Sequence, residues 1–154
     1  MTAIKLVDKL SDEIEAKMRE GFVQYESSHG IDVNYKQFAL VLSDNENNTI
    51  GVLNAFTAFA EIYIQDMWVD SKFRGKGYGR KLLDDLENRF RGKGFNNINL
   101  VTNAFNASEF YKKCGFELEF VRENAINPKL TKFFFIKYFD DEIQTQGLLT
   151  EASS

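Results

Sequence analysis

Residues 67–80 constrain the fold of this chain more than any other segment. They read Met-Trp-Val-Asp-Ser-Lys-Phe-Arg-Gly-Lys-Gly-Tyr-Gly-Arg, so glycines alternate at three positions between an apolar run and a helical pattern. Leucines and a phenylalanine then recur at helical spacing: Leu82, Leu83, Leu86 and Phe90. Glycine lets backbone amides approach a ligand without a Cβ in the way, and a helix N-terminus offers unpaired N–H groups and a positive dipole end. The segment therefore predicts a strand, a pyrophosphate-binding turn and a helix.

Two familiar phosphate-binding turns do not fit this pattern. A P-loop needs Gly-x-x-x-x-Gly-Lys followed by Ser or Thr, and the dinucleotide fingerprint needs Gly-x-Gly-x-x-Gly. Here the spacing is Gly-x-Gly-x-Gly, and the unit follows several strands instead of opening the chain. The alternative interpretation is a plain glycine-rich turn with surface lysines, but a strand-to-helix turn rarely needs three alternating glycines.

Apolar runs and turn residues predict the other elements. Ser11 is the expected N-cap of a helix that ends near His29, and Asn106 is the expected cap of a short helix that stops at Gly115. Short connections make the second, third and fourth strands an antiparallel meander, and the helix after the glycines makes the next strand parallel to the fourth. The strands are predicted at residues 4–7, 37–42, 49–59, 61–69, 97–102, 116–123 and 131–139.

Length and composition restrict the class of protein. The chain has 154 residues, which predicts one domain over residues 1–140 with a polar tail over 141–154. One Cys and one His exclude an internal disulfide and argue against a zinc site, so no metal is expected. The charged start is unlike a signal peptide, and no apolar run approaches a membrane span, so a cytoplasmic protein without a membrane partner is expected.

Charge gives a hint about the ligand. The net charge is −4, which provides no general attraction to nucleic acid, and no nucleic-acid partner is expected. Residues 72–94 nevertheless hold eight basic side chains against three acidic ones. A local basic patch on an acidic protein favours a small anionic ligand over a long polyanion.

Two blocks of this sequence resemble one family. Residues 74–79 resemble the Arg/Gln-x-x-Gly-x-Gly/Ala signature of GNAT-type N-acetyltransferases, and residues 107–116 resemble that family's Ala-x-x-Phe-Tyr-x-Lys-x-Gly-Phe segment. The likeness covers residues 36–139 well and the first thirty only by element order. In detail the second block resembles that of a small bacterial single-domain branch, although Asn106 and Ser108 stand where that branch usually has Gln and Pro.

The resemblance implies a fold and an activity. The fold is α/β (α+β): a central mixed sheet of six to seven strands, an antiparallel meander then a parallel crossover, flanked by about four helices. The activity is transfer of an acetyl group from acetyl-coenzyme A to a primary amine on a small molecule or peptide, by direct attack in a ternary complex. Homodimers are common in such families, and the sequence does not decide the oligomeric state.

The resemblance also implies roles for individual residues. Tyr111 matches a tyrosine near the thioester sulfur, where a phenol can protonate the departing thiolate. The backbone N–H of Met67 is the expected donor to the acetyl oxygen. The residues expected to bind coenzyme A are Met67, Trp68, Val69, Arg74, Gly75, Lys76, Gly77, Tyr78, Gly79, Arg80 and Asn106.

The general base and the acceptor are less defined. Glu61 and Asp66 are candidate bases, and their odd separation puts them on opposite faces of a strand unless a bulge intervenes. Cys114 is expected to be a small hydrophobic residue, and the Trp68 side chain to lie in the core. Acidic residues near the first helix could attract a cationic amine or could form a solvated face: Glu20, Glu26 and Asp32. A catalytically silent module that binds coenzyme A or a protein partner is the alternative function.

Overall fold

The computed structural model describes residues 1–106 and 108–139. Two compact units are present, one at Met1–Asn34 and another that begins at Tyr35. The predicted tail over 141–154, and Ala107 in the second family block, lie outside the described residues. The prediction of a single domain stays a prediction.

The first unit contains one helix, α1 (Asp12–Ser28). The predicted cap is confirmed, because the Ser11 hydroxyl accepts a hydrogen bond of 3.3 Å from the N–H of Ile14. Acidic residues fill the first turn, where they complement the positive end of the helix dipole. The helix ends at His29, which is exposed as its polar setting predicts.

The predicted strand at residues 4–7 is wrong. This segment has no regular structure, and Ile4 and Leu6 are fully exposed. A short apolar run becomes a strand only when a neighbouring strand satisfies its N–H and C=O groups. No strand pairs with this run in the part of the chain that the structure describes.

The second unit is built on a six-stranded mixed sheet. The strands are β1 (Lys36–Ser43), β2 (Thr49–Ala58), β3 (Glu61–Val69), β4 (Asn97–Asn103), β5 (Glu117–Arg122) and β6 (Lys132–Tyr138), and the helices are α2 (Tyr78–Phe90) and α3 (Ser108–Lys113). The spatial order is β1-β2-β3-β4-β6-β5. Three α-helices and two short 3₁₀ turns therefore stand, among the described residues, where about four helices were expected.

The predicted meander, crossover and final hairpin are all confirmed. β1, β2 and β3 pair antiparallel, β3 and β4 pair parallel around α2, and β5 pairs antiparallel with β6. The turn between β1 and β2 is held by Asp44, whose carboxylate accepts bonds of 2.9 Å from the N–H groups of Glu46 and Asn48. The expected cap of α3 at Asn106 stays a prediction, since the next residue is not described.

The core lies between one face of the sheet and α2. Three leucines of α2 are buried: Leu82, Leu83 and Leu86. They pack with fully buried residues of the sheet, Leu53, Ile62, Ile98 and Phe135. This apolar face fixes α2 over the crossover, and with it the glycine turn that begins the helix. No helix in residues 1–106 or 108–139 is long and apolar enough to cross a membrane.

Candidate functional site

The two parallel strands of the sheet separate partway along their length. β3 and β4 pair only at three positions, the last of which joins Tyr63 to Asn99. Beyond that point the strands diverge and leave a cleft of about 940 Å³. Its walls are residues 64–69 of β3, the glycine turn, the start of α2, residues 100–102 of β4, Asn106 and α3. A cleft of this size suits a ligand larger than a single metabolite ring.

A β-bulge sits where the strands begin to separate. Asn54 of β2 pairs with Asp66 and the next residue, Ala55, pairs with Ile64, so Gln65 is an extra residue in β3. The bulge moves Asp66 to the same face of the sheet as Glu61, although their separation in sequence is odd. Asp66 is exposed and lines the cleft, and its Oδ2 accepts a 3.1 Å bond from the Asn54 side-chain amide.

The same register fixes which backbone groups face the cleft. The N–H of Asp70 bonds to the C=O of Ile50 across the β2–β3 pair. Because bonded and non-bonded pairs alternate along an antiparallel ladder, Trp68 also bonds to β2. The N–H and C=O groups of Met67 and Val69 then point the other way, toward the cleft. The Nε of Arg74 confirms this phase at Val69, whose C=O accepts its hydrogen bond at 3.0 Å.

Glycine is required at the three positions of the turn for two different structural reasons. Gly75 and Gly77 adopt φ values of +77° and +82°, which side chains rarely tolerate. Gly77 is also the N-cap of α2, with no side chain to satisfy the first N–H groups of the helix. Gly79 is needed for space, because a Cβ there would lie 3.0 Å from the ring of Phe110. The turn thus presents backbone at the cleft, and α3 packs closely against it.

Charge is distributed unevenly around the cleft. The basic side chains that line it come from the turn, α2 and α3: Arg74, Arg80 and Lys113. Among the described lining residues, Asp66 is the one carboxylate. Lys76 does not line the cleft; its ammonium lies 5.8 Å from the centre of the Phe73 ring. The end of the cleft lined by these basic side chains suits a ligand that bears phosphate groups, in line with the small anionic ligand expected from the sequence.

Tyr111 of α3 lines the cleft with its ring half-buried. The ring packs 5.2 Å from Phe110, 5.9 Å from Phe116 and 5.9 Å from Phe135, measured between centroids. Burial, with a smaller effect of the neighbouring Cys114 thiolate, raises the pKa of the Tyr111 phenol above its ordinary 10.0. Within residues 1–106 and 108–139 no hydrogen bond engages this hydroxyl, so a protonated phenol is available to a ligand.

The structure does not bring Glu61 to the cleft. It lies at the paired end of β3, where its carboxylate accepts bonds from the hydroxyl of Tyr63 and, at 3.0 Å, from the amide of Asn97. The hydrogen bond from the Tyr63 hydroxyl to Glu61 is the main reason that the pKa of Tyr63 rises to about 12. Glu61 therefore stabilises the closed end of the strand pair, and Asp66 is the remaining candidate base.

Cys114 has the environment of a small hydrophobic residue, as expected. Its side chain is buried beside Phe116, and burial raises the pKa of the thiol, which disfavours a nucleophilic thiolate. The Lys137 ammonium donates a 3.0 Å bond to the C=O of Cys114 and forms a 2.8 Å ion pair with Glu87. These contacts tie the end of α3 to α2 and β6, and so hold Tyr111 in place.

The expected burial of Trp68 is wrong. Its side chain is 47% exposed and lines the cleft. Regular alternation from Ile62 and Ile64 would turn residues 66 and 68 inward, but the bulge at Gln65 reverses the phase and turns Met67 inward instead. Sequence reasoning also missed Val101, which lines the opposite wall and is 49% exposed. Its place after the buried Leu100 is the signal that could have identified it.

Known proteins share this fold and part of this sequence. Residues 35–118 match the acetyltransferase (GNAT) domain family. An acetyltransferase of Agrobacterium fabrum is 26% identical over 111 residues, which span 72% of this chain and 81% of that protein. The crystal structure of an acetyltransferase from Bacillus cereus is 27% identical with a TM-score of 0.71, over 88% of this chain and 98% of that one.

Two further structures extend the comparison. A protein from Agrobacterium tumefaciens, assigned as an acetyltransferase, has the same fold with a TM-score of 0.75 at 22% identity, over 90% of this chain and all of its own. A Bacillus anthracis protein, assigned as a streptothricin acetyltransferase, was solved with acetyl coenzyme A; it is 25% identical with a TM-score of 0.58, over 68% of this chain and 63% of its own. Because the family match spans more than half of the sequence, this chain belongs to the GNAT acetyltransferase family and is an acyltransferase.

Proposed function

We propose that the protein is an N-acetyltransferase that moves the acetyl group of acetyl-coenzyme A to a primary amine by direct attack in a ternary complex. The main observation behind this proposal is that three features suited to this reaction lie in a single cleft. It holds a glycine turn at a helix N-terminus, cleft-facing backbone groups of β3 and a half-buried, protonated phenol within one cavity.

The turn and β3 would hold the donor. The N–H groups of residues 74–80, at the positive end of α2, suit a pyrophosphate, and the Arg74 and Arg80 side chains add positive charge. Met67 and Val69 would pair through their backbone groups with the amides of the pantetheine arm, as an added strand does. In that complex the Arg74 side chain has to leave the C=O of Val69, which it occupies here. Asn106, which follows β4, also lines the cleft and can donate from its side-chain amide.

Three groups of the chain would act on the reacting atoms. Asp66, directly or through a water, accepts the proton that the attacking amine must lose. The Met67 N–H points into the cleft and can stabilise negative charge on the acetyl oxygen. Tyr111 donates its phenolic proton to the departing sulfur. The raised pKa of the phenol keeps this proton available at neutral pH. Holding both substrates in one cleft supplies much of the remaining acceleration.

Two measurements together test this function against the silent-module alternative. Acetyl-coenzyme A at about 100 times its dissociation constant should add roughly 2.7 kcal/mol to the unfolding free energy, seen as a higher melting temperature. A panel of primary amines should then release free thiol at a rate that depends on the amine. Stabilisation without thiol release from any amine would favour the silent module. No stabilisation at millimolar donor would contradict both the transferase and a module that binds coenzyme A, and would leave only a module that binds a protein partner.

A further inference from the structure

We propose that the acceptor is a primary amine carried on an apolar, aryl-bearing arm, and that Trp68 and Val101 bind this arm while Asp66 faces the amine. The inference rests on the proposed function and specifies the substrate class of the same cleft. Trp68 of β3 and Val101 of β4 present exposed apolar surface on opposite walls of the cleft.

The three side chains lie on one face of the sheet. Met67 pairs with the buried Leu53 and packs against the core, so its neighbours in the strand, Asp66 and Trp68, point to the opposite face. On β4, Leu100 is 5% exposed and belongs to the core, so Val101 points to that opposite face as well. All three line the cleft on the side away from α2.

Their order along the cleft gives the ligand a direction. The paired strands end at Tyr63, Asp66 follows at the bulge, and Trp68 lies two residues, about 6.6 Å, farther along the strand. Val101 lies two residues beyond the last paired position of β4. An amine beside Asp66 would therefore have its substituent between the indole and the valine. An aryl or long alkyl group covers both surfaces, whereas a hydrogen or methyl group covers neither.

The charges select against an acceptor with a carboxylate beside its amine. Asp66 uses Oδ2 to accept the Asn54 amide, and its Oδ1 accepts no hydrogen bond from the described residues. Every basic lining residue in the described part of the cleft belongs to the turn, α2 or α3, and none to β3 or β4. An α-amino acid would thus bring its carboxylate next to that of Asp66 with no cation of either strand to neutralise it.

The chain contains one tryptophan, so its fluorescence reports on this subsite without any need for turnover. With coenzyme A present, 2-phenylethylamine should change the Trp68 emission in a saturable way. Ethylamine lacks the arm and phenylalanine adds the carboxylate, so each should bind at least about tenfold more weakly. Val101→Ala and Asp66→Asn should each weaken 2-phenylethylamine binding several-fold. Tyr138→Ala removes an aromatic side chain that is 41% exposed and lies outside the cleft. This control should leave the affinity for 2-phenylethylamine unchanged.

Thiol-release rates separate the two proposals. Binding in the expected order without thiol release would support the subsite and contradict acetyl transfer. Transfer to ethylamine or phenylalanine with a kcat/KM equal to that of 2-phenylethylamine would overturn the subsite and leave the N-acetyltransferase standing. An unchanged Trp68 emission at saturating 2-phenylethylamine, in folded protein that binds coenzyme A, would also overturn the subsite.

Discussion

Replacing Tyr111 with phenylalanine separates chemistry from packing in this cleft. The substitution keeps the ring and its contacts with Phe110, Phe116 and Phe135, and removes only the hydroxyl. The described residues give that hydroxyl no hydrogen bond, so its loss breaks none of their contacts. The unfolding free energy should therefore change by at most about 1 kcal/mol, toward greater stability, because the substitution removes a partly buried hydroxyl to which the described residues offer no hydrogen bond.

The expected effect on turnover is much larger. General-acid help is typically worth about 10²–10⁴-fold, or roughly 2.7–5.4 kcal/mol of activation free energy. The loss should fall on kcat and kcat/KM alike, since the bond to the departing sulfur strengthens only as charge develops there. Since the folded-state pKa of Tyr111 lies above 10.0, the wild type should keep this advantage through neutral pH and lose it only in strong alkali.

The assay has to measure the chemical step. Single-turnover release of thiol, with saturating acetyl-coenzyme A and a good acceptor, avoids limitation by product release. Tyr138→Phe is the matched control, because it removes a hydroxyl outside the cleft and should retain wild-type rates. A Tyr111→Phe enzyme that reacts within about twofold of the wild type would remove the phenol from the mechanism and leave proximity and backbone donors.

Three other predictions concern residues outside the reacting groups. Gly77→Ala and Gly92→Ala impose similar backbone strain, since both glycines have positive φ and open space around a Cβ. Each substitution should therefore cost about 1–2 kcal/mol of stability. Only Gly77→Ala should also weaken acetyl-coenzyme A binding in a thermal-shift titration. Lys137→Met keeps most of the stem but leaves the carbonyl of Cys114 without its ammonium donor, and the unfolding free energy from urea titration should fall by about 1–3 kcal/mol. Folding raises the pKa of Tyr63 from 10.0 to about 12, so the stability contributed by its protonated hydroxyl is complete below pH 10 and is lost between pH 10 and 12. Tyr63→Phe should flatten that part of the pH–stability curve, and an equal decline in both proteins would contradict the raised pKa of Tyr63.

Local sequence patterns were sufficient for most of the sheet. Hairpin turns, glycines after helices and apolar periodicity are short-range signals, and they placed β1–β6, α1 and α2 within a few residues of their observed bounds. The glycine turn was also readable, since φ values of +77° and +82° at Gly75 and Gly77 need glycine. The strand predicted at residues 4–7 failed for the opposite reason: its existence depends on a distant partner, which its own sequence does not specify.

The cleft depended on information that no single segment carries. The bulge at Gln65 is defined by the pairing of Asp66 and Ile64 with adjacent residues of β2. Nothing about glutamine itself predicts it, and a regular strand places Trp68 in the core. Likewise, the divergence after Tyr63 is a property of two strands thirty-six residues apart in register. Sequence names both Glu61 and Asp66 as candidate bases, but only the register shows that Asp66 lies at the cleft and Glu61 at the paired end of the strand.

The bulge and the divergence together give β3 two distinct surfaces at the cleft. Divergence leaves the backbone of Met67 and Val69 at an edge where no strand of the described residues pairs with it. Backbone groups at such an edge recognise an extended chain of amides whatever the side chains are. The bulge sets the phase at which Asp66 and Trp68 face away from α2 while Met67 packs inward. Under the proposed function, one strand would present its backbone to the donor and its side chains to the acceptor. In that case, substitutions at positions 66, 68 and 101 would change acceptor preference without disturbing the backbone amides proposed to bind the donor, because those side chains are not part of the hydrogen-bonded ladder.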